Sequence, residues 1–409
     1  MNLKKMFSAI AYKKLSSVDL PNNTSNQHEL NGVSAIKEFF PSEDSIKGFI
    51  TWHYFSDEND PERFSGDFTF YDARAKSYDR TKRSEWRLYY SGDFLKKAEI
   101  GDTLVLVRIT QNEDIHGLIF KNGSAWLRSF SIVFELTNIE ENAQLKDDEY
   151  LNKSEIDFVL TQILDEIGIE VPFTGEKQTN QAAEKLLQSA KEQNIVFPGI
   201  KSFNECAREL IDIEGKDPDT ILFMWLTKEE QIFRSVERFV IEEKLQQGFE
   251  SSDEFISYSL SIHNRRKSRM GQALQNHLEK IFQLNNLHFE SQKTTEENHK
   301  PDFLFPGQKE YQDKQFRTDL LAMLAAKSTC KERWRQILQE ADRIKHKHLC
   351  TLDQKLTINQ TNEMKNQNII LVIPFQFQKT LDEKQRADSM TLASFIEFIK
   401  DQQKFIVTV

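Results

Sequence analysis

Cysteine is nearly missing from this chain: there are 3 in 409 residues, Cys206, Cys330 and Cys350. Three thiols cannot build a disulfide framework, and none has a partner at a metal-ligand spacing, so they read as reduced structural thiols and redox chemistry is excluded. His346, His348 and Cys350 alternate, but no further ligand pair lies nearby, so they too read as structural. Glycine (14) and proline (9) are scarce, which excludes fibrous and low-complexity classes. Long apolar runs are absent as well. The longest, Leu320 to Ala326, is far short of the roughly 18 residues that cross a bilayer, so no membrane partner is expected. The lysine-flanked patch from Met6 to Tyr12 is too brief for a secretory leader, and a cytoplasmic location is expected. There is no excess of positive charge: the formal net charge is −10, which argues against a basic coat but leaves local clusters open. Glycine-rich phosphate loops, a serine nucleophile elbow and kinase signatures do not occur.

What is present is a globular composition, 38% hydrophobic and 29% charged, long enough for two or three domains at roughly 100–200 residues each. From about Asn31 to Glu135 the pattern is strand-like: Phe49–Trp52, Trp86–Tyr90, Thr103–Ile109 and Phe130–Glu135, punctuated by turn signals at Ser91-Gly92-Asp93 and Lys121-Asn122-Gly123-Ser124. A mainly β first domain follows, a barrel or sandwich. Seven acids against two lysines between Glu140 and Asp157 mark a solvated passage, with a helix expected over Ser154–Ile167. Pro172 to Asn180 has linker chemistry, which divides the chain into a domain at 1–171, a linker at 172–182 and a second domain at 183–409. In the second, helical periodicity (Thr227–Leu245, Phe255–Ile262, Ser268–Phe282, Lys331–Lys345, Thr391–Lys400) alternates with apolar strands (Pro301–Phe305, Leu320–Lys327, Ile369–Ile373), the signature of an α/β domain. The whole is an α+β multidomain chain.

Hydrolysis of a phosphodiester assisted by a metal ion needs carboxylates to hold the cation, and benefits from a lysine near the attacking water. Asp302 follows Pro301 at the start of one expected strand and Lys327 ends the next, so pairing of the two strands would bring both side chains to one sheet edge. Glu340 lies 13 residues beyond Lys327 on the expected helix. Alone, these three residues are compatible with a purely structural role. Lys331-Glu332-Arg333 sets cation, acid, cation at one helix start, a pattern that suits guanine N7 and O6 and cytosine N4 in a major groove, though it equally suits an exposed mixed-charge turn. Arg265, Arg266, Lys267 and Arg269 place four cations in five positions, enough to contact phosphates or to form a solvated helix entrance. In the β domain, Arg74, Lys76, Arg80, Lys82, Arg83 and Arg87 interleave with Tyr71, Tyr78 and Trp86, as a DNA-facing ribbon or a solvated hairpin would.

The blocks Asn264–Gly271, Pro301–Pro306, Lys327–Ala341, Leu371–Pro374 and Met390–Leu392, in that order, resemble the catalytic half of EcoRII-type (type IIE) restriction endonucleases from about Phe197 to Lys400. The resemblance implies a C-terminal α/β restriction-endonuclease-like domain of the PD-(D/E)XK kind, Mg²⁺-dependent cleavage of double-stranded DNA, a homodimer matched to a near-palindromic C/G-rich site, and a cytosine methyltransferase as functional partner. On the same basis the metal-site acids fall on Asp302 and Glu340, the catalytic lysine on Lys327, a site tyrosine on Tyr311 and base reading on Lys331, Glu332 and Arg333. Ala325 stands where simpler nucleases keep the second acid, so Glu340 takes over that part. One position departs from the family's Leu-Glu-x-His-Leu-Glu pattern: here it is Leu274-Gln275-Asn276-His277-Leu278-Glu279, an amide in place of a carboxylate. Phe68 to Tyr90 is similar to a recognition arm of the family's N-terminal effector, a DNA-binding pseudobarrel, with a second arm around Lys121 to Arg128. The alternative is a DNA-binding regulator whose nuclease domain is catalytically impaired, motivated by Gln275.

Overall fold

The computed structural model describes residues 7–20, 29–32, 34–40, 45–75, 84–110, 112–134, 136, 139–140, 144–145, 164 and 177–406. The chain divides into two compact units, Met1–Pro172 and Phe173–Val409.

In the first unit β1 (Phe7–Lys14), β2 (Glu29–Gly32), β3 (Ile46–Phe55), β4 (Glu62–Asp72), β5 (Trp86–Tyr90), β6 (Thr103–Ile109), β7 (Ile115–Phe120) and β8 (Gln144–Leu145) form one sheet in the order β2-β5-β4-β3-β7-β6-β1-β8. Every neighbouring pair is antiparallel except β3 and β7, which run parallel from Ile50 opposite Ile115 to Phe55 opposite Phe120. Trp52, Phe70, Leu88, Tyr90 and Leu106 are buried in its core together with Phe40, next to the short helix α1 (Ser34–Phe39). The Trp52 ring stacks on Phe94 with centroids 4.0 Å apart. It also lies against Gly117 on β7, where any Cβ would come within 2.2 Å of the indole, so glycine is required by the close approach.

The strand expected over Phe130–Glu135 is instead part of helix α2 (Ala125–Val133). Ser124 caps it by accepting from Leu127 N (3.1 Å), and Ala125, Trp126, Ser129, Phe130 and Val133 are buried at helical spacing. Aromatic and β-branched content alone misassigned this run, because three- and four-residue spacing outweighs residue preference. The same helix takes up the second half of the arm expected around Lys121 to Arg128. Lys76, Tyr78, Arg80, Lys82 and Arg83, and nearly all of the helix expected over Ser154–Ile167, fall outside the described residues.

The second unit begins with α3 (Lys177–Glu192), α4 (Ile200–Leu210), α5 (Pro218–Gln247) and α6 (Ser252–Leu284). Helix α3 overlaps the end of the expected linker at 172–182, because Thr179, Ala182, Ala183, Leu187 and Ala190 give it a buried face. The sheet follows: β9 (Glu290–Ser291), β10 (Phe303–Phe305), β11 (Ala322–Lys327), β12 (Lys347–Thr351), β13 (Ile369–Val372) and β14 (Ser389–Met390), in the spatial order β14-β13-β12-β11-β10-β9. Strands β9 to β11 pair antiparallel and β11 to β14 parallel. Between them come the short α7 (Gln308–Gln312), α8 (Ile358–Asn366) and α9 (Glu383–Ala387), and α10 (Leu392–Lys404) closes the unit. Phe282 of α6 meets Phe303 and Phe305 of β10 at 5.1 and 5.5 Å, tying the longest helix to the sheet. His348 is buried on the central strand β12 against Phe395 (5.0 Å), and Cys350 is buried on the same strand, whereas His346 is exposed. His346 precedes the strand, and every residue of β12 is buried, so the three do not share one site.

Helix α6 is continuous, so Asn264–Gly271 lies in mid-helix and is not a helix entrance. Arg266 pairs with Glu237 of α5 (2.6 Å), Arg234 with Glu230 (2.7 Å), and the buried Arg269 sits between Glu229 (3.2 Å) and Glu230. Arg265 stacks over Phe197 at 4.0 Å. Arg269 is buried out of reach of a phosphate, and Arg266 is committed to Glu237; of the four cations expected to face DNA, Lys267 is exposed. Burial pushes the Glu229 carboxyl up to about 7 even with Arg269 beside it. Replacing Arg269 by Met should therefore cost about 3–5 kcal/mol of unfolding free energy, since it strands the buried Glu229 and removes one of the two counter-charges of Glu230. Chemical denaturation checks this, and a loss below about 1 kcal/mol would mean that the pair contributes no more than an exposed one.

Candidate active site

Strand pairing assembles the site. Antiparallel β10 and β11 set Phe303 opposite Leu324, so the preceding residue, Asp302, lies level with the end of β11. Its Oδ2 accepts from Ala326 N (2.7 Å) and Lys327 Nζ (3.2 Å), and its Oδ1 accepts from Gln292 Nε2 (2.7 Å) and Gln275 Nε2 (3.2 Å). A carboxylate has about four acceptor directions, so Asp302 is saturated by donors from three elements of the chain.

Glu340 does not lie on a helix as the periodicity predicted. The helical turns after Lys327 are a 3₁₀ helix, Lys331–Gln339, and Glu340 ends it in an extended conformation, followed by Ala341 at φ 53°. Burial pushes the Glu340 carboxyl up to about 7, Lys327 and Lys347 oppose this, and Asp302 adds to it. Its Oε2 is buried with no hydrogen-bond partner among the described residues. Two carboxylates in electrostatic reach of each other and of one lysine, one saturated and one with an orphaned oxygen, can hold a divalent cation; binding it would release the Glu340 proton. Among the described residues no three His, Cys, Asp or Glu side chains come together as a metal-ligating group.

Gln275 reaches Asp302 directly, whereas Glu279, one turn on, interacts with Arg208. Tyr311 has its hydroxyl committed elsewhere: it donates to Glu296 (2.5 and 2.6 Å to the two oxygens), and burial with that acid pushes its pKa up. Lys331 and Arg333 are exposed at the start of the 3₁₀ helix, Lys331 with φ 31°; the Glu332 side chain lies outside the described residues. This start is anchored from β12's far end, where Asp353 Oδ2 accepts from Cys330 N (2.8 Å). In the first unit Arg74 pairs with Glu85 (2.5 Å), and Arg87 with Glu29 (2.7 Å) and Glu85 (2.5 Å), which balances part of that cluster.

Sequence reasoning missed Gln292, Glu296 and Lys347. Lys347 opens β12, a strand of mixed polarity that the sequence did not announce; it is buried and donates to Leu338 O (2.6 Å). The other two lie in a polar stretch with no periodicity to single them out.

Residues 233–396, which include Asp302, Lys327 and Glu340, match the family model described as EcoRII C terminal. A curated relative, the type II restriction enzyme EcoRII of Escherichia coli, is 46% identical over 181 residues, covering 44% of this chain and 45% of that protein. The chain thus spans about half the length of the curated relative it matches. Solved structures with similarity include metal-depleted Ecl18kI in complex with uncleaved, modified DNA (15% identity, TM-score 0.43, 55% of this chain and 85% of that one). A complex of restriction endonuclease PspGI with substrate DNA is similar over 55% of this chain and 92% of that one (17% identity, TM-score 0.39). Within the C-terminal unit, residues 233–396 therefore match the EcoRII C-terminal family model, and over that part the chain is similar to a type II restriction enzyme.

Proposed function

We propose that the chain is a type II site-specific deoxyribonuclease that cleaves double-stranded DNA at a short C/G-rich site with Mg²⁺, acting as a homodimer, and that its N-terminal unit is an effector that binds a further DNA copy. The observation that carries this is the meeting of Asp302, Lys327 and Glu340 at the β10–β11 edge, with one Glu340 oxygen orphaned. Mg²⁺ held by Asp302 and Glu340 would stabilise charge on the phosphate and lower the pKa of bound water. Lys327 holds Asp302 Oδ2 and brings a positive charge to the place where an anionic phosphate must sit. Gln275 orients Asp302 through Oδ1, a positioning task that an amide performs without charge. Lys331, Glu332 and Arg333 open the next turn, where they would read consecutive G·C pairs, and Lys267 is available to a phosphate. Ile256 and Leu260, one turn apart on α6 and each more than half exposed, offer apolar surface to a second copy. A cytosine methyltransferase protecting host sites is the functional partner this activity calls for.

Asp302→Ala and Lys327→Ala should each abolish plasmid cleavage in Mg²⁺ while sequence-specific binding persists in Ca²⁺; wild-type cleavage by either variant would discard the site. Gln275→Glu should raise both the divalent-cation affinity and the cleavage rate, and Glu279→Ala should leave both unchanged. The opposite pattern would make Glu279 the working acid. Lys331→Ala and Arg333→Ala should each narrow the gap between cognate and non-cognate binding by about 1–3 kcal/mol. Should all sequences weaken equally, with only the salt slope altered, both residues touch phosphates and do not read bases.

A further inference from the structure

The segment carrying Glu340 is held at four backbone points by side chains to which the proposed chemistry assigns no step. Lys347 Nζ donates to Leu338 O (2.6 Å) and His299 Nδ1 to Gln339 O (2.7 Å) on one side of Glu340. On the other side Glu296 Oε2 accepts from Asp342 N (3.3 Å) and the Tyr311 hydroxyl accepts from Arg343 N (3.3 Å). Glu296 also accepts the Tyr311 hydroxyl's hydrogen bond on both oxygens, so one carboxylate and one phenol form a joint clamp. Arg343 returns the tie by donating to the carbonyls of Tyr311, Asp313 (2.9 Å) and Phe316 (3.0 Å).

The segment needs such a clamp. Ala341 has φ 53°, a left-handed backbone that a residue with a Cβ adopts only when its surroundings enforce it. Glu340 itself leaves the 3₁₀ helix extended, with a buried oxygen that has no hydrogen bond to fix its direction. No hydrogen bond to Oε2 among the described residues sets its aim, which leaves the task to the backbone on either side.

We propose that Glu296 is a positioning residue that, through Tyr311 and the amides of Asp342 and Arg343, fixes the backbone bearing Glu340 and so aims its free oxygen at the cation shared with Asp302. This rests on the reading of Asp302 and Glu340 as the cation ligands. It gives Tyr311 a place in the same clamp, acting on Glu340 through the chain and not on the reacting atoms.

The test uses the full chain with Mn²⁺ as probe, bound ion being followed by electron paramagnetic resonance, beside amide hydrogen exchange of residues 340–343 and steady-state cleavage. Glu296→Gln and Tyr311→Phe should each weaken Mn²⁺ binding about tenfold or more and speed exchange at Asp342 and Arg343. Each should also lower kcat with KM for DNA within about twofold, and raised Mn²⁺ should restore part of the rate. Tyr311→Phe keeps the ring in place, so the claim stays open to refutation even if Glu296→Gln folds poorly. Glu340→Ala separates the two levels: it should lose Mn²⁺ binding outright. If Glu340→Ala loses the ion but Glu296→Gln and Tyr311→Phe bind it as wild type does, the clamp is refuted and the site stands. If Glu340→Ala binds Mn²⁺ normally, the ligand assignment falls and the clamp falls with it.

Discussion

The candidate site depends on how one carboxylate is divided. Asp302 gives one oxygen to the sheet, through Ala326 N and Lys327, and the other to two amides from helix α6 and the β9 region. Because every acceptor direction is filled, its orientation is fixed in two planes at once. A cation can enter only by taking the place of one of these donors, and the weakly held ones, Gln275 and Lys327 at 3.2 Å, are the natural ones to yield. The contrast with Glu340, which has an oxygen to spare, divides the labour between a rigid acid and one aimed by its backbone.

Much of this was legible in the sequence, for a physical reason. Short apolar strands bounded by breakers specify their own ends, and two consecutive strands that pair must bring one start to the other's finish, so Asp302 and Lys327 were predictable neighbours. The resemblance singled out Gln275 as a departure from the family's pattern, but its hydrogen bond to Asp302 came only with the structure. Illegible were contacts whose partners carry no sequence pattern: Glu296 on Tyr311, Gln292 on Asp302, and the acids of α5 that absorb Arg266 and Arg269. A run of cations announces charge but not its counter-charge. The 3₁₀ helix ending at Glu340 was read as an α-helix because both share polar and apolar spacing over so few residues.

The two units illustrate different means of fixing a fold. In the first, the core is rich in aromatics, and the sheet is tightened by close approaches, of which Trp52 over Gly117 is the shortest among the described residues. In the second, aromatic packing of Phe282 on the sheet is supplemented by buried ion pairs, which give less net stability than apolar packing but tolerate only one arrangement.

That last property reaches further than stability. Three arginines and three glutamates interlock along α5 and α6, and a slip by one turn, about 5.4 Å, would leave several of them buried without a mate. The ladder therefore works as a vernier for the longest helix of the unit. Gln275 lies six residues past Arg269 on that helix, about 9 Å along its axis, and so inherits the setting. A hydrogen bond of 3.2 Å to Asp302 ends that helical span, so the reach of one amide is calibrated by buried charges between one and two helical turns back along α6.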